Sequence, residues 1–171
     1  KEYKTEDIRN VVLLGHGSAG KTSLSEAMLY QTGATNRMGK VEEGTTVADF
    51  DDEEIRRHIS LNLSTVPCEW KNVKLNILDT PGYTDFVGEV ISAIHVADVG
   101  LMVVDAVSGV EVGTEMVWAR ADERNLPRMV FVNKMDRDNA NFERTLDTLR
   151  QNFGGNFVPF QLPVGSQADF D

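Results

Sequence analysis

A glycine-rich octapeptide, Gly-His-Gly-Ser-Ala-Gly-Lys-Thr at residues 15–22, constrains this chain more strongly than any other segment. It follows a short apolar run at residues 8–14 and opens a run of helix-forming residues at 21–32. Glycines let the backbone curl so that several N–H groups point inward, and the positive end of the following helix dipole favours an anion there. The pattern predicts a strand, a phosphate-binding loop and a helix in succession. A strand-to-helix turn that binds nothing is the alternative, and the motif alone does not exclude it.

The last two residues of the octapeptide carry the chemistry expected for a bound nucleotide. Lys21 is placed to reach the β- and γ-phosphates, and the hydroxyl group of Thr22 can bind Mg²⁺. Backbone N–H groups of the loop complete the predicted phosphate site, and they belong to His16, Gly17, Ser18, Ala19 and Gly20.

A second motif, Asp79-Thr80-Pro81-Gly82, follows a predicted strand at residues 73–79. Loops at the carboxyl ends of strands in α/β sheets collect ligands, so the Asp79 carboxylate can approach Mg²⁺, usually through water because Mg²⁺ keeps part of its hydration shell. Glycine permits close approach of the backbone, so the N–H group of Gly82 can contact a γ-phosphate. An ordinary turn at the end of a strand is the alternative, and the order of the motifs favours the phosphate sensor.

A third motif, Asn133-Lys134-Met135-Asp136, follows a predicted strand at residues 129–132. Guanine presents its N1–H and its N2 amine on one edge, and the carboxylate of Asp136 can accept from both, whereas adenine would leave it unpaired. Asn133 can fix the loop and contact the base, and the stem of Lys134 can cover the ring. Together the three motifs predict binding of GTP or GDP with Mg²⁺. An unrelated P-loop ATPase or kinase is the alternative, and Asp136 argues against it.

Hydrophobic periodicity between the motifs predicts strands that alternate with helices. Strands are predicted at residues 8–14, 59–70, 73–79, 99–104 and 129–132, and helices at 21–32, 85–97, 111–124 and 141–152. Residues 34–58 are predicted to be a long loop whose acidic run at 49–54 is solvated, and residues 157–164 an extended segment at a sheet edge. The alternation predicts an α/β fold of the P-loop NTPase type, with a mostly parallel sheet and helices on both faces.

The composition limits the classes of protein to which this chain can belong. Its 171 residues, 41% of them hydrophobic and 26% charged, suit one globular domain. A formal net charge of −10 opposes binding to a nucleic acid backbone, so no direct sequence-specific nucleic acid contact is expected from this segment. No run approaches the ~18 apolar residues of a membrane helix. We therefore expect a cytoplasmic location and no membrane partner.

The three motifs and their surroundings resemble the GTP-binding domain of translational GTPases, most closely that of elongation factor G and its paralogues. The resemblance covers nearly the whole chain and rests on residues 44–49, 57–60, 79–86, 104–110, 131–137, 139–142 and 158–165. It implies a GTPase of protein biosynthesis in which Lys21 and Gly82 take part in catalysis and the hydroxyl group of Ser60 binds Mg²⁺. It also implies a switch-loop rearrangement that the full-length protein passes to the ribosome.

The resemblance implies that the chain is a fragment. In this family the last strand of the GTP-binding domain, its guanine-contacting Ser-Ala loop and its final helix follow an inserted subdomain, so they are expected to be missing here. Residues 1–156 are expected to form an incomplete GTP-binding domain, and residues 157–171 to begin the inserted subdomain. Residues 164–168 superficially suggest the missing Ser-Ala loop, but they fall where the insertion begins.

Four positions depart from the pattern of elongation factor G. Tyr83 stands where that family has a His that positions the attacking water, and a phenol is neutral at pH 7 because its pKa is about 10. It can hydrogen-bond a water but supplies no positive charge, so Tyr83 is either a catalytic residue or a turn residue without a catalytic task. A slow or non-hydrolysing GTP-binding switch is therefore the alternative function. Ser18 replaces an Asp that can help hold a monovalent cation, and His58 and Ser60 replace Gly and Thr.

Arg57 lies three residues before Ser60. Some G-protein α subunits place a catalytic arginine at this offset, where it stabilises transition-state charge. We hypothesise the same role for Arg57, with a solvated loop arginine as the alternative.

Overall fold

Five strands and five α-helices alternate along most of the chain in the computed structural model, which describes residues 1–171. The strands are β1 (Ile8–Leu14), β2 (Ser64–Trp70), β3 (Val73–Asp79), β4 (Val99–Asp105) and β5 (Arg128–Asn133). The helices are α1 (Lys21–Gln31), α2 (Asp52–Arg57), α3 (Val87–Val96), α4 (Val112–Glu123) and α5 (Phe142–Phe153). Short 3₁₀ turns occupy Thr5–Asp7, Val41–Glu43, Thr84–Phe86 and Gln167–Asp169. The predicted alternation of strands and helices is confirmed.

The strands form one sheet in the order β2-β3-β1-β4-β5. β1 pairs in parallel with β3 and β4, and β4 pairs in parallel with β5, whereas β2 is antiparallel to β3. The antiparallel pair is a hairpin whose turn residues, Lys71 and Asn72, have φ of 47° and 69°. Two-residue turns with positive φ match the right-handed twist of the flanking strands. The predicted mostly parallel sheet is confirmed.

Side chains of the central strand β1 alternate between the two faces of the sheet, and helices cover both faces. Val12 and Leu14 pack with residues of α3, α4 and α5, whereas Leu13 packs with Leu29 of α1. The three β1 side chains are completely buried, and burying one such side chain stabilises the fold by about 1.5–3 kcal/mol. None of the five α-helices combines the length and the apolar character that crossing a lipid bilayer demands.

The parallel arrangement brings the carboxyl ends of β1, β3, β4 and β5 to one edge of the sheet, where ligands of α/β folds collect. Leu13 of β1 lies beside Asp79 of β3, and Asp105 of β4 lies beside Asn133 of β5. The loops that follow these strand ends include all three motifs singled out in the sequence. The topology therefore places the three motifs next to one another.

The predicted long loop at residues 34–58 is not irregular throughout, because it contains helix α2. Asp51 caps this helix, and Asp51 and Glu54 form a capping box in which each side chain accepts from the backbone of the other. A capping box satisfies N–H groups that have no partner within the helix. The acidic run therefore has a local structural role, and its interpretation as a solvated face is wrong at Asp49 and Glu54, which are buried.

The predicted strand at residues 59–70 begins later than expected, at Ser64. The backbone N–H groups of Leu61 and Asn62 donate to the carboxylate of Glu54 instead of to a neighbouring strand. The alternating apolar residues before Ser64, which predicted a strand, therefore lie in a loop that the Glu54 side chain holds in place.

The predicted extended segment at residues 157–164 forms no strand. Pro159 and Pro163 lack the N–H groups that a ladder needs. Val158, Phe160, Leu162 and Val164 are exposed. This segment is therefore not part of the sheet, and β5 is an edge strand.

Candidate functional site

The phosphate loop connects β1 to α1, and residues with positive φ give it its curl. Gly15, Ser18 and Gly20 have φ of 148°, 63° and 102°. A Cβ atom at Gly15 would lie 2.4 Å from the carbonyl oxygen of Val103 in β4, so only glycine fits at that position. Left-handed residues in such a loop turn N–H groups toward one centre, which together with the start of α1 makes an anion site.

Lys21 lies at the first position of α1 with its ammonium group inside the loop. Its side chain is buried, and Nζ donates to the carbonyl oxygens of Gly15 and His16 at 3.1 and 3.0 Å. Burial lowers the pKa of Lys21 to about 8, and the Asp79 carboxylate opposes this shift. The ammonium group therefore remains charged at neutral pH, in a place where an anion would compensate for its lost hydration.

Two of the three predicted metal ligands, Thr22 and Ser60, are in direct contact. Their hydroxyl oxygens lie 3.0 Å apart, and Ser60 Oγ also donates to Asp49 Oδ1 at 2.7 Å. Burial raises the pKa of Asp49, and the Ser60 hydroxyl group opposes the shift. Sequence reasoning missed Asp49, because nothing in the run of acidic residues distinguishes it from its solvated neighbours.

The third predicted metal ligand, Asp79, lies buried at the end of β3. Its Oδ2 accepts a hydrogen bond from Ser25 at 3.3 Å, and its Oδ1 has no hydrogen-bond partner. Burial raises the pKa of Asp79 to about 6, while the attraction of Lys21 opposes the shift. An unpartnered buried carboxylate oxygen is costly unless a ligand satisfies it.

The chemistry of these residues fits Mg²⁺, which prefers oxygen ligands and usually keeps several waters and phosphate oxygens. Thr22 and Ser60 offer neutral hydroxyl oxygens, and Asp79 offers the unpartnered carboxylate oxygen. The chain has no group of three or more His, Cys, Asp and Glu side chains that could hold a metal alone. The donor set therefore suits an ion that shares its coordination with a bound phosphate.

The second motif lies directly against the phosphate loop. A Cβ atom at Gly82 would lie 2.5 Å from Lys21 Nζ and 2.6 Å from the backbone nitrogen of Gly17. The ring of Tyr83 packs over Gly17, since a Cβ atom there would lie 3.0 Å from the ring carbon Cζ. Any larger residue at Gly82 would therefore collide with the loop, and Tyr83 covers one side of it.

The third motif is hydrogen-bonded to the phosphate loop from the other side. Asn133 Nδ2 donates to the carbonyl oxygen of Ala19 at 2.9 Å, and Lys134 Nζ donates to that of Ser18 at 2.7 Å. Lys134 has φ of 61°, a left-handed conformation in which its ammonium group can bridge two loops. These two hydrogen bonds fix the position of the predicted base-binding loop relative to the phosphate loop.

Asp105, at the end of β4, is a residue that sequence reasoning did not assign to the site. Its Oδ2 forms an ion pair with Lys134 Nζ at 2.8 Å, and its Oδ1 accepts from the N–H group of Val107 at 2.7 Å. Burial alone would raise the pKa of Asp105, but Lys134 and the N–H groups of Val107 and Ser108 outweigh it and lower the pKa. Its position at the end of a strand, like that of Asp79, could have identified Asp105 as a site residue from the sequence.

Asp136, the predicted base reader, follows Lys134 by two residues and is exposed. Its neighbour Met135 is buried and packs with Ala106 and Ala140. The Met135 side chain anchors the turn, so Asp136 is held at the surface one residue after a buried side chain.

The His16 side chain points away from the phosphate loop toward α4. Its Nδ1 accepts from the backbone N–H group of Gly113 at 3.3 Å, and its Nε2 lies 3.6 Å from the carboxylate of Glu111. The contribution of His16 to a phosphate would therefore come from its backbone, while its side chain ties the loop to the start of α4.

Arg57, the hypothesised charge stabiliser, forms one ion pair on the surface of α2. Its guanidinium group contacts the carboxylate of Glu53, and 57% of its side chain is exposed. The structure thus places Arg57 with a carboxylate partner and without a hydrogen bond to the phosphate loop, in agreement with the alternative of a solvated arginine.

One large cavity lies apart from the phosphate loop. It measures about 970 Å³ and lies between β5, α5 and the segment after α5, with apolar residues such as Phe131 and Leu146 in its lining. Such a lining offers little to a triphosphate, so the polar cluster around Lys21 remains the candidate site.

Comparison with known proteins agrees with this geometry. Residues 6–168 match the family model of the elongation factor Tu GTP binding domain. A crystal structure of a protein from Thermus thermophilus matches with a TM-score of 0.90 and 41% sequence identity, over 95% of this chain and 24% of that chain. This chain thus spans about a quarter of the length of that protein. The chain therefore belongs to the family of elongation factor Tu GTP-binding domains.

Proposed function

We propose that this chain is the nucleotide-binding domain of an elongation-factor-G-like translation factor that hydrolyses GTP to drive a switch on the ribosome. The observation that carries the proposal is the convergence of three loops on one another. Gly82 lies within contact distance of Lys21, and Asn133 and Lys134 are hydrogen-bonded to the phosphate loop. No single loop could bind phosphate, sense a γ-phosphate and read a base, but the three together have the donors and acceptors for each task.

The phosphates of GTP or GDP bind to the backbone N–H groups of residues 16–20 and to Lys21. The ammonium group of Lys21 is buried, so its attraction to a phosphate is weakened little by water. Asp136 accepts the two donors on the guanine edge, and Asn133 and Lys134 keep the base at a fixed distance from the phosphates.

Thr22, Ser60 and Asp79 are the residues that would hold Mg²⁺. When bound, the ion neutralises charge on the β- and γ-phosphates. Thr22 and Ser60 contribute hydroxyl groups that already lie 3.0 Å apart. Asp79 contributes negative charge, and its unpartnered oxygen is available to the hydration shell of the ion.

Hydrolysis in this site depends on positioning and on charge, as phosphoryl transfer generally does. Lys21 stabilises the negative charge on the phosphate oxygens. Gly82 lets its backbone N–H group approach the γ-phosphate, because any side chain at this position would collide with Lys21 and Gly17. Tyr83 stands next to this N–H group and can hydrogen-bond a water through its hydroxyl group, although it supplies no positive charge.

The position of Tyr83 favours a second candidate function, a GTP-binding switch that hydrolyses slowly or not at all. The ring packs on Gly17 and is 39% exposed, so it shields one side of the phosphate loop from water. In this interpretation the nucleotide state itself is the signal, and exchange of GDP for GTP resets it.

The partners and boundaries follow from the same proposal. The ribosome is the partner of the full-length protein, which acts in the cytoplasm, and this segment makes no sequence-specific contact with nucleic acid. Residues 1–156 are the GTP-binding part, and residues 157–171 begin an inserted subdomain. The fraction of the Thermus thermophilus protein that this chain matches, 24%, supports a longer protein of this kind.

The deciding experiment measures GTP hydrolysis by the full-length protein with and without ribosomes. Strong stimulation supports the translation factor, whereas tight GTP binding without stimulation supports the slow switch. In the latter case Tyr83→His should raise the hydrolysis rate measured with ribosomes by about 10²-fold, the usual contribution of a positioned acid–base group, and Tyr83→Phe should not. Equal affinity for GTP and ATP would contradict both functions.

A further inference from the structure

The carboxylate of Glu54 is the organising centre of the segment that carries Ser60. This side chain is 1% exposed, although it belongs to a short surface helix, α2. Its two oxygens accept five hydrogen bonds, and the donors come from both sides of α2. Oε2 accepts from the N–H groups of Phe50 and Asp51 at 3.1 and 3.0 Å, and Oε1 accepts from the N–H groups of Leu61 and Asn62 at 2.9 Å each and from Asn62 Nδ2 at 3.3 Å.

These hydrogen bonds close residues 50–62 into a loop around one side chain. Asp49 directly precedes Phe50, the first donor to Glu54, and Ser60 directly precedes Leu61, the first donor on the other side of the loop. Closing the loop therefore brings Asp49 and Ser60 together, and Ser60 Oγ donates to Asp49 Oδ1 at 2.7 Å. The same closure holds Ser60 Oγ at 3.0 Å from Thr22 Oγ1.

A carboxylate suits this position because all of its partners are donors. Four backbone N–H groups and one amide group point at two oxygens, and each ionised oxygen accepts several hydrogen bonds. A glutamine of the same shape would bring its own N–H groups against backbone N–H groups. The closed loop therefore depends on the acid and not only on the volume of the side chain.

The outer part of the same segment is held separately by another buried carboxylate, Glu26 of α1. It accepts from the backbone N–H groups of Gly39, Val47 and Ala48 at 3.1, 2.6 and 3.4 Å. Residues 39–48 are thus fastened to α1 without Glu54. Loss of the Glu54 carboxylate should therefore free residues 50–62 and leave the rest of the domain in place.

We propose that Glu54 is a positioning residue for the triphosphate state: by closing residues 50–62 it presents the Ser60 hydroxyl group beside Thr22, and so makes tight binding of GTP with Mg²⁺ possible while contributing nothing to GDP. This inference rests on the proposed function of the site, because it takes Ser60 as a ligand of the metal. Glu54 itself touches neither nucleotide nor metal, and it acts through Ser60.

The test compares Glu54→Gln with the charge-matched control Asp52→Asn in the full chain. Asp52 lies two residues earlier in α2 and is exposed, so its substitution removes one negative charge and none of the hydrogen bonds to Glu54. Affinities are measured by calorimetry for a non-hydrolysable GTP analogue with Mg²⁺ and for GDP. We expect Glu54→Gln to lose about 10-fold or more in affinity for the analogue, as loss of residues that orient metal ligands does, and less than about twofold for GDP. Asp52→Asn should retain both affinities.

Limited trypsin cleavage measures whether residues 50–62 are ordered. Arg56 and Arg57 are exposed, with 72% and 57% of their side chains accessible, so the bonds after them are protected only by the order of α2. With the GTP analogue and Mg²⁺ these bonds should resist cleavage in the wild type and in Asp52→Asn, and be cut in Glu54→Gln. A substitution that only lowers global stability would not separate the analogue from GDP in this way.

Hydrogen exchange in the wild type keeps the inference testable if Glu54→Gln fails to fold. The amides of Leu61 and Asn62 should exchange slowly with the GTP analogue and Mg²⁺ and faster with GDP. Equal exchange in both states, or a folded Glu54→Gln that keeps the full preference for the analogue, would overturn the role of Glu54. A wild type that binds neither nucleotide would instead refute the proposed function.

Discussion

The hydroxyl groups of Thr22 and Ser60 lie 3.0 Å apart, although 38 residues separate them in the chain. Thr22 belongs to α1, whose start is packed against the sheet, whereas Ser60 follows α2 in a segment that side-chain hydrogen bonds hold in place. The contact joins an element packed against the sheet to a segment that side chains hold in place. Under the proposed function, we expect a ligand that binds both hydroxyl groups to stabilise this arrangement and its loss to open it.

Removing the Thr22 hydroxyl group should abolish the Mg²⁺ dependence of nucleotide binding. Thr22→Ala deletes one proposed metal ligand and the hydrogen-bond partner of Ser60, and we expect the affinity for a GTP analogue with Mg²⁺ to fall by about 10–100-fold. In the presence of a chelator, wild type and variant should bind alike. Ser23→Ala, at the exposed neighbouring position, is the control and should behave as the wild type. Calorimetric titrations with and without Mg²⁺ measure both, and an unchanged Mg²⁺ dependence in Thr22→Ala would remove Thr22 from the metal site.

Much of the site could be predicted from sequence because its residues stand at the ends of parallel strands. Asp79 and Asn133 each follow an apolar run, and parallel strands bring their carboxyl ends to one edge regardless of the details of packing. The same reasoning would have found Asp105, which ends β4 in the same way. Strand order did not need to be known for these residues to be expected close together.

The segment before β2 could not be predicted in the same way, because its structure depends on tertiary hydrogen bonds. Glu54 stands among acidic residues that are solvated, and only the loop closing around it makes it buried. The apolar alternation at residues 59–63 has the period of a strand, but its N–H groups pair with a side chain instead of a neighbouring strand. Local periodicity carries no information about such a partner.

Substitution of Asp136 should change which purine the domain binds. Asp136→Asn keeps the shape but loses the charged acceptor for the guanine N1–H and N2 amine, so GTP and GDP should bind about 10–100-fold more weakly, as expected for lost hydrogen bonds to a charged group. An Asn amide offers one acceptor and one donor, which match the N1–H and the O2 of xanthine, so xanthosine nucleotides should gain affinity. Asp138→Asn, at another exposed position, serves as the control. Competition titrations decide the point: if Asp136→Asn binds GTP as the wild type does, another residue reads the base.

The free energy of unfolding without nucleotide should depend on pH through Asp79. Burial raises its pKa from 3.8 to about 6, so the folded state binds this proton more tightly than the unfolded state does. The stabilisation of the folded state by protonated Asp79 is therefore present in full below pH 3.8 and is lost as the pH rises through about 6. Asp79→Asn removes the buried charge, and its stability relative to the wild type should be greater at pH 8 than at pH 5 by about 1 kcal/mol.

Urea unfolding at the two pH values measures this difference. Asp98→Asn at a site away from the phosphate loop is the control, since Asp98 contacts Asn10 at the opposite end of β1. A stability difference between Asp79→Asn and wild type that does not change with pH would mean that Asp79 titrates normally.

Two glycines in helices should respond in opposite ways to alanine, because only one of them touches the phosphate loop. A Cβ atom at Gly113 in α4 would lie 2.6 Å from Nδ1 and 3.0 Å from Cα of His16, whereas one at Gly88 in α3 would meet nothing within 4 Å. Gly113→Ala should therefore destabilise the protein by about 1–3 kcal/mol through overpacking and weaken GDP binding by displacing the backbone of His16. Gly88→Ala should raise the free energy of unfolding by about 0.4–1 kcal/mol through the reduced entropy of the unfolded chain and leave GDP binding unchanged. Urea unfolding followed by tryptophan fluorescence, together with GDP titration, separates the two effects. If Gly113→Ala binds GDP normally, the contact between α4 and His16 serves stability alone and does not position the loop.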